Sequence, residues 1–168
     1  RMTETTRRSL LAASAAGAAF GALPLHRARA QGANTIKIGV LNDMSGLYRD
    51  VNGPGSVACT RQAIADLGVA ARGLNVEVLV GDHQNRPDVG VNIARQWIDR
   101  DGVDMILDVP TSSVALAVNT VVREKNKIFL NSSAATSDLT GAACSPNTIH
   151  WTYDTYMLAK STGGAMVR

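Results

Sequence analysis

Hydrophobic positions along the chain from residue 36 switch repeatedly between strand-like and helical spacing. Ile36-Lys37-Ile38-Gly39-Val40-Leu41 predicts a strand that becomes apolar on both faces. Residues 42–55 are dense in Gly, Asn, Asp and Pro and predict a loop. Ser56 is placed to cap a helix running through Ala58, Ala63, Ile64 and Leu67, which Gly68 closes. Leu74 to Val80 predicts a second strand, ended by Gly81-Asp82. Pro87 suits the first turn of a helix, where a missing N–H costs nothing. Val89, Ile93, Ala94, Trp97 and Ile98 then recur at helical spacing. Met105-Ile106-Leu107 predicts a third strand, and a helix starting at Ser112 or Ser113 turns Ala115, Leu116, Val118, Val121 and Val122 inward. Ile128-Phe129-Leu130 predicts a fourth strand. A polar loop, 131–147, leads to Thr148-Ile149-His150-Trp151, and helical spacing resumes near Thr155.

Alternating strand and helix with near-continuous apolar strands implies an α/β fold. The expected form is a Rossmann-like open parallel sheet with helices on both faces. Right-handed crossovers gather the strand C-termini on one edge, and ligands of such sheets bind beyond that edge. The richest polar loops all follow strands: 42–55, 82–86, 108–113 and 131–147. No internal repeat interrupts this order.

The first thirty residues differ in kind. Thr6-Arg7-Arg8-Ser9 precedes an apolar, Ala-rich run from Leu10 to Leu25, and Ala28-Arg29-Ala30 follows. This is the three-part pattern of an export signal, with cleavage expected near Ala30/Gln31. The paired arginines also suit a twin-arginine route. The apolar run of about 16 residues falls short of the ~20 needed to span a bilayer. The expected organisation is therefore a cleaved signal over 1–30 and an α/β body over 31–168.

Charge follows the same division. The net charge of +3 arises in residues 1–30, which hold five Arg and one Glu. The remainder has twelve Lys/Arg against thirteen Asp/Glu, so it lacks a cationic excess to neutralise a phosphate backbone, and no nucleic-acid partner is expected. Cys59 and Cys144 lack metal-site spacing; in an oxidising compartment they either pair with each other, or one is a buried thiol and the other has its partner outside this chain, and sequence leaves both open.

The loops carry a family resemblance. Ser45-Gly46 after the first strand, Gly53-Pro54-Gly55 opening a helix, Asp82-His83-Gln84-Asn85-Arg86-Pro87 and Asn131 to Thr140 stand in register. Together they resemble type I periplasmic solute-binding proteins of ABC importers, in particular the Leu/Ile/Val-binding (branched-chain amino acid) group. The resemblance covers residues 35–168. It implies the first lobe of a two-lobed protein, the second lobe lying outside this sequence. It further implies a periplasmic location, a membrane permease partner, and an amino acid, amide or aromatic acid held in an interlobe cleft.

On that resemblance, Ser112, with Ser113 beside it, matches the carboxylate-binding serine, and Ala134, Ala135 and Thr136 match the segment opposite. A helix opening at Ser112–Ser113 would present unpaired N–H groups and a positive dipole end to an anion. Ser112 has an alternative role as an N-cap, and Thr136 as a hydroxyl serving its own loop. Asp108 suits an ammonium, or caps its own loop.

Aromatics are 4% of the chain, so their placement matters. Trp97 and Phe129 fall on inward faces and belong to the core. Tyr48, on the loop after the first strand, is the candidate ligand contact. Trp151 and Tyr153 are candidates for a cleft wall, or pack within the lobe. His150 is expected to be structural. No nucleophile elbow, phosphate loop or dinucleotide fingerprint occurs, so no enzyme activity, cofactor or metal is expected. A ligand-sensing domain of the same fold, in a regulator or receptor, is the alternative function.

Overall fold

The computed structural model describes residues 35–167. The expected export signal and its cleavage site lie outside the described residues. Five parallel strands form one sheet in the order β2-β1-β3-β4-β5. They are β1 (Thr35–Asn42), β2 (Asn75–Asp82), β3 (Met105–Asp108), β4 (Ile128–Asn131) and β5 (Thr148–His150). The helices are α1 (Gly53–Asp66), α2 (Pro87–Gln96), α3 (Ser112–Glu124) and α4 (Thr155–Leu158). A π turn, Trp97–Asp101, extends α2, and the chain stays helical beyond α4. This is the open α/β sheet that strand and helix periodicity implies.

Parity along the strands decides which face is filled. Leu41, Ile106 and Phe129 point to the face covered by α2 and α3. There they meet Ala94, Trp97, Val114, Val118 and Val122. Trp97 is 6% exposed and Phe129 fully buried, so both belong to the core. The Trp97 indole packs against the backbone of β1 and β2 at Gly39 and Gly81. Only Gly39 and Gly81 permit that approach: a Cβ on Gly81 would stand 2.8 Å from the indole ring.

The opposite face is less complete. α1 lines a groove of about 710 Å³ whose floor includes Ile38, Met105, Leu107 and Leu130. Ile128, Ile149 and Trp151, of the same parity or just beyond it, are exposed. α1 turns Ala63, Ile64 and Leu67 to this groove, as their spacing implies, while Ala58 lies off it, and the unfilled groove leaves even these side chains accessible. Val57 is buried, whereas Ala58, Ala63 and Leu67 are exposed and Ile64 is half-buried.

Ser56 does not cap α1. The helix opens three residues earlier, at Gly53, with Asn52 before it and Pro54 in its first turn. Proline needs no N–H partner there, so the Gly53-Pro54-Gly55 segment is itself the first turn. The Ser56 N–H already donates to the Asn52 carbonyl at 2.9 Å. Gly68 does close the helix, in the left-handed conformation at φ 56°. Cys59 and Cys144 are free thiols on the surface.

Candidate functional site at the C-terminal edge of the sheet

β1 is the strand from which the chain runs first to one side, to β2, and later to the other, to β3. A sheet of this order opens a crevice between the C-termini of β1 and β3. Asn42, the last residue of β1, and Asp108, the last of β3, bridge that crevice: the Asn42 amide donates to the Asp108 carboxylate. Both are buried.

Four loops meet around this pair, tied by buried polar side chains. Asn42 Oδ1 accepts from the N–H groups of Asp43 and Gly53, at 2.7 and 3.1 Å. The Asp43 carboxylate, itself buried, accepts from the N–H groups of Gly46 at 2.8 Å and Tyr48 at 2.9 Å. These bonds shape the loop that carries Tyr48. The Ser132 hydroxyl donates to Asp108 at 2.8 Å, and the Ser133 hydroxyl donates to the same oxygen. Asp108 thus spends its lone pairs on three side chains of the lobe, which is the loop-organising role rather than an open ammonium site.

Asp108 and Val109 both lie in the left-handed region, at φ 80° and 61°. For a β-branched residue this is strained backbone. Asn131 holds it in place, donating its amide to the carbonyls of Asp108 at 2.7 Å and Val109 at 3.0 Å. Its Oδ1 accepts the Ala134 N–H at 3.0 Å. The kink delivers Pro110 and Thr111 to the start of α3.

A second left-handed pair, Gln84 and Asn85 at φ 54° and 56°, follows β2. Here the side chains before the turn capture its amides. Asp82 accepts from Gln84 N–H at 2.9 Å, and His83 Nδ1 accepts from Asn85 N–H at 3.0 Å. Asp82 also receives the Met44 N–H and the Ser45 hydroxyl, linking this turn to the loop after β1. Burial resists ionisation of Asp82, but the bonds from Ser45, Met44 and Gln84 outweigh it and hold its carboxyl below the usual range. His83 is fully buried, and that burial pushes its imidazole below the ordinary value despite the pull of Asp43, Asp82 and Asp108.

The N-cap of α3 is Thr111, not Ser112. Thr111 does not cap with its side chain; its hydroxyl donates to Asn85 Oδ1 at 2.8 Å. Ser112 and Ser113 therefore occupy the first two helical positions, Ser112 half-buried and Ser113 exposed. Their N–H groups belong to the unpaired set at a helix start.

After β4, Ala134 is enclosed: its N–H serves Asn131 and its carbonyl accepts from or faces His150 Nε2 at 2.6 Å. His150 is thereby a structural tie. Ala135 and Thr136 are half-buried. The Ala135 carbonyl accepts from Thr155 N–H at 2.8 Å. Thr136 Oγ1 accepts from Asp138 N–H at 3.3 Å, which leaves the hydroxyl proton to donate elsewhere. Tyr48 is half-buried, and Trp151 and Tyr153 are 76% and 46% exposed beyond β5. All eight sequence-derived candidates thus follow strand ends on one edge of the sheet. The buried organisers Asn42, Asp43, His83 and Asn131 were not among them; Asn42 and Asn131 end their strands, and Asp43 and His83 are the first residues after theirs.

The model of one family, described as periplasmic binding protein, matches residues 35–168. The chain belongs to this periplasmic binding protein family. A solved periplasmic binding protein from Burkholderia mallei is 43% identical over 81% of the chain, with a TM-score of 0.77. A branched-chain amino acid ABC transporter periplasmic ligand-binding protein from Burkholderia xenovorans is 40% identical over 79%, with a TM-score of 0.74. An ABC transporter solute-binding protein from R. palustris, solved with 4-hydroxybenzoate, is 26% identical over 77%, with a TM-score of 0.66. The matches cover 36%, 35% and 36% of those three chains, so this chain spans about a third of their length. None of the curated proteins matches it.

Proposed function

We propose that the chain forms one lobe of the substrate-binding component of an ABC importer, exported to the periplasm with its signal cleaved near Ala30/Gln31. Its ligand is a small carboxylate, an amino acid or an aromatic acid, held against the N-terminus of α3 and handed to a membrane permease. The observation carrying this reading is the start of α3. The N-cap threonine is engaged with Asn85, so the Ser112 hydroxyl and the first N–H groups of the helix are left to an anion at the crevice between β1 and β3. The Thr136 hydroxyl, after the neighbouring strand, supplies a second donor. Tyr48 and, beyond β5, Trp151 and Tyr153 contact the remainder of the ligand. The related proteins named above, one a branched-chain amino acid transporter component and one solved with 4-hydroxybenzoate, support a carboxylate ligand.

Calorimetry on the full-length protein tests this. Leucine or 4-hydroxybenzoate is expected to bind, and the methyl ester of whichever acid binds is expected to fail. Equal binding of acid and ester would show that no carboxylate is read.

A further inference from the structure

We infer that His83 is a positioning residue for the ligand-binding end of α3, acting through Asn85 and Thr111, and that it holds this end only while its imidazole is neutral. The inference rests on the carboxylate site proposed above for its consequence in binding, and on geometry alone for the latch itself.

Two hydrogen bonds and the chain itself make a continuous path. Asn85 N–H donates to His83 Nδ1 at 3.0 Å. The Asn85 side-chain oxygen accepts from the Thr111 hydroxyl at 2.8 Å. Thr111 is the N-cap of α3, and Ser112 follows it. The first contact fixes the tautomer: a ring nitrogen that accepts an N–H carries no proton, so the neutral ring has its proton on Nε2.

Nε2 is buried with no hydrogen-bond partner among the described residues. Protonation therefore meets two costs. The cation lies in a fully buried place, and its new Nδ1–H points at the Asn85 N–H, donor against donor. The Asn85 amide is expelled from the bond that holds it.

Asn85 is a poor residue to leave unsupported. It and Gln84 are consecutive left-handed residues; asparagine tolerates that region but glutamine does not favour it, so the pair is held by the bonds that Asp82 and His83 make to its amides. Losing the His83 contact frees the turn to relax and takes the Thr111 partner with it.

The charged groups facing His83 are Asp43 after β1, Asp82 at the end of β2 and Asp108 at the end of β3. All three are acidic and favour the cation, so they set how far acid must go rather than oppose the latch. α2 presents Gly90, whose added Cβ would lie 3.6 Å from the His83 Cβ and would also meet Val114 of α3. Neither residue is charged. Arg86 and Asp88, at the start of α2, are engaged with each other on the surface.

The test pairs two substitutions. His83→Asn keeps an acceptor for the N–H two residues on, in the manner of an Asx turn, and cannot titrate. His83→Leu removes the acceptor at every pH. In ligand-free full-length protein, NMR should show Asn85 amide protection falling as the His83 ring titrates below about pH 6.5. His83→Asn should keep that protection down to about pH 5, and His83→Leu should lack it throughout. Affinity for leucine or 4-hydroxybenzoate, whichever binds, should fall about tenfold as the His83 ring of the native chain becomes protonated, roughly the worth of one hydrogen bond, and stay level in His83→Asn over the same pH range.

An Asn85 amide that stays protected through the His83 titration overturns the latch. So does a His83→Asn variant that loses protection or affinity with acid as the native chain does. If neither probe binds at pH 7.5, the carboxylate reading fails, and the latch is judged by the ligand-free amide data.

Discussion

Asn131 donates its side-chain amide to the main-chain oxygen of Asp108 at 2.7 Å, so the end of β4 fastens the left-handed kink at the end of β3. Three polar groups depend on this one buried side chain: the carbonyls of Asp108 and Val109, and the N–H of Ala134. Asn131→Ala leaves all three unpaired in the interior. The expected loss is about 2–4 kcal/mol, read as a lower urea midpoint with an unchanged m-value. A loss below about 0.5 kcal/mol would mean that the kink holds without its clamp.

Gly81 and Trp97 make a pair that only glycine allows. A Cβ at residue 81 would press on the indole at 2.8 Å and on Ile93 at 3.1 Å. Gly81→Ala is expected to cost about 1–3 kcal/mol by overpacking. In a Trp97→Leu background, which shortens the opposing side chain, the same substitution should cost much less. Equal costs in both backgrounds would place the strain somewhere other than the indole.

These two relationships also show what the sequence made legible. Periodicity located β1 to β4, whose apolar runs stand out from polar surroundings, and it placed Trp97 and Phe129 inside; β5, three residues with a single apolar side chain, was not read as a strand. The gathering of the polar-rich loops on one edge followed from topology, since all of them come after parallel strands. Two further features escaped. The start of α1 was misplaced because Gly53-Pro54-Gly55 reads as loop, although proline at a helix start needs no N–H. The buried polar organisers were invisible because Asn42, Asp43, His83 and Asn131 look like ordinary loop residues. Only the fold shows that they face inward and hold the loops that carry the ligand candidates. The role of Thr111 escaped for the same reason: its partner, Asn85, is 26 residues away.

His83 gives stability a defined pH dependence. Burial lowers its folded pKa below the ordinary 6.5, so on acidification the unfolded chain takes up a proton that the folded chain still refuses. Stability is therefore expected to fall as pH drops below about 6.5, and this contribution levels off below the folded pKa. Asp82 acts in a separate window. Its carboxyl is held below 3.8, so the stability it contributes is present above that value and is lost only in stronger acid. Thermal unfolding of native and His83→Asn chains from pH 7.5 to 5 isolates the histidine: the difference in Tm between them should change across this range. A constant difference would show that His83 takes up its proton equally in both states.

Ser112 offers the sharpest separation of binding from folding. An N-cap serine would cost about 1 kcal/mol of stability when replaced by alanine. Here the cap position belongs to Thr111, and Ser112 stands one residue inside the helix. Ser112→Ala is therefore expected to change stability by no more than about 0.5 kcal/mol. If its hydroxyl donates to a ligand carboxylate, affinity falls by roughly 1.5–3 kcal/mol, about ten- to hundredfold, while the helix N–H groups still bind weakly. The loss should be alike for every carboxylate ligand, because the group being read is common to all. Tyr48→Ala should behave differently, altering preference among ligands by their side chains. Calorimetry of both variants against leucine and 4-hydroxybenzoate, beside urea unfolding, measures the two effects. Unchanged affinity in Ser112→Ala would remove its hydroxyl from the site and leave the anion to the helix N–H groups and Thr136.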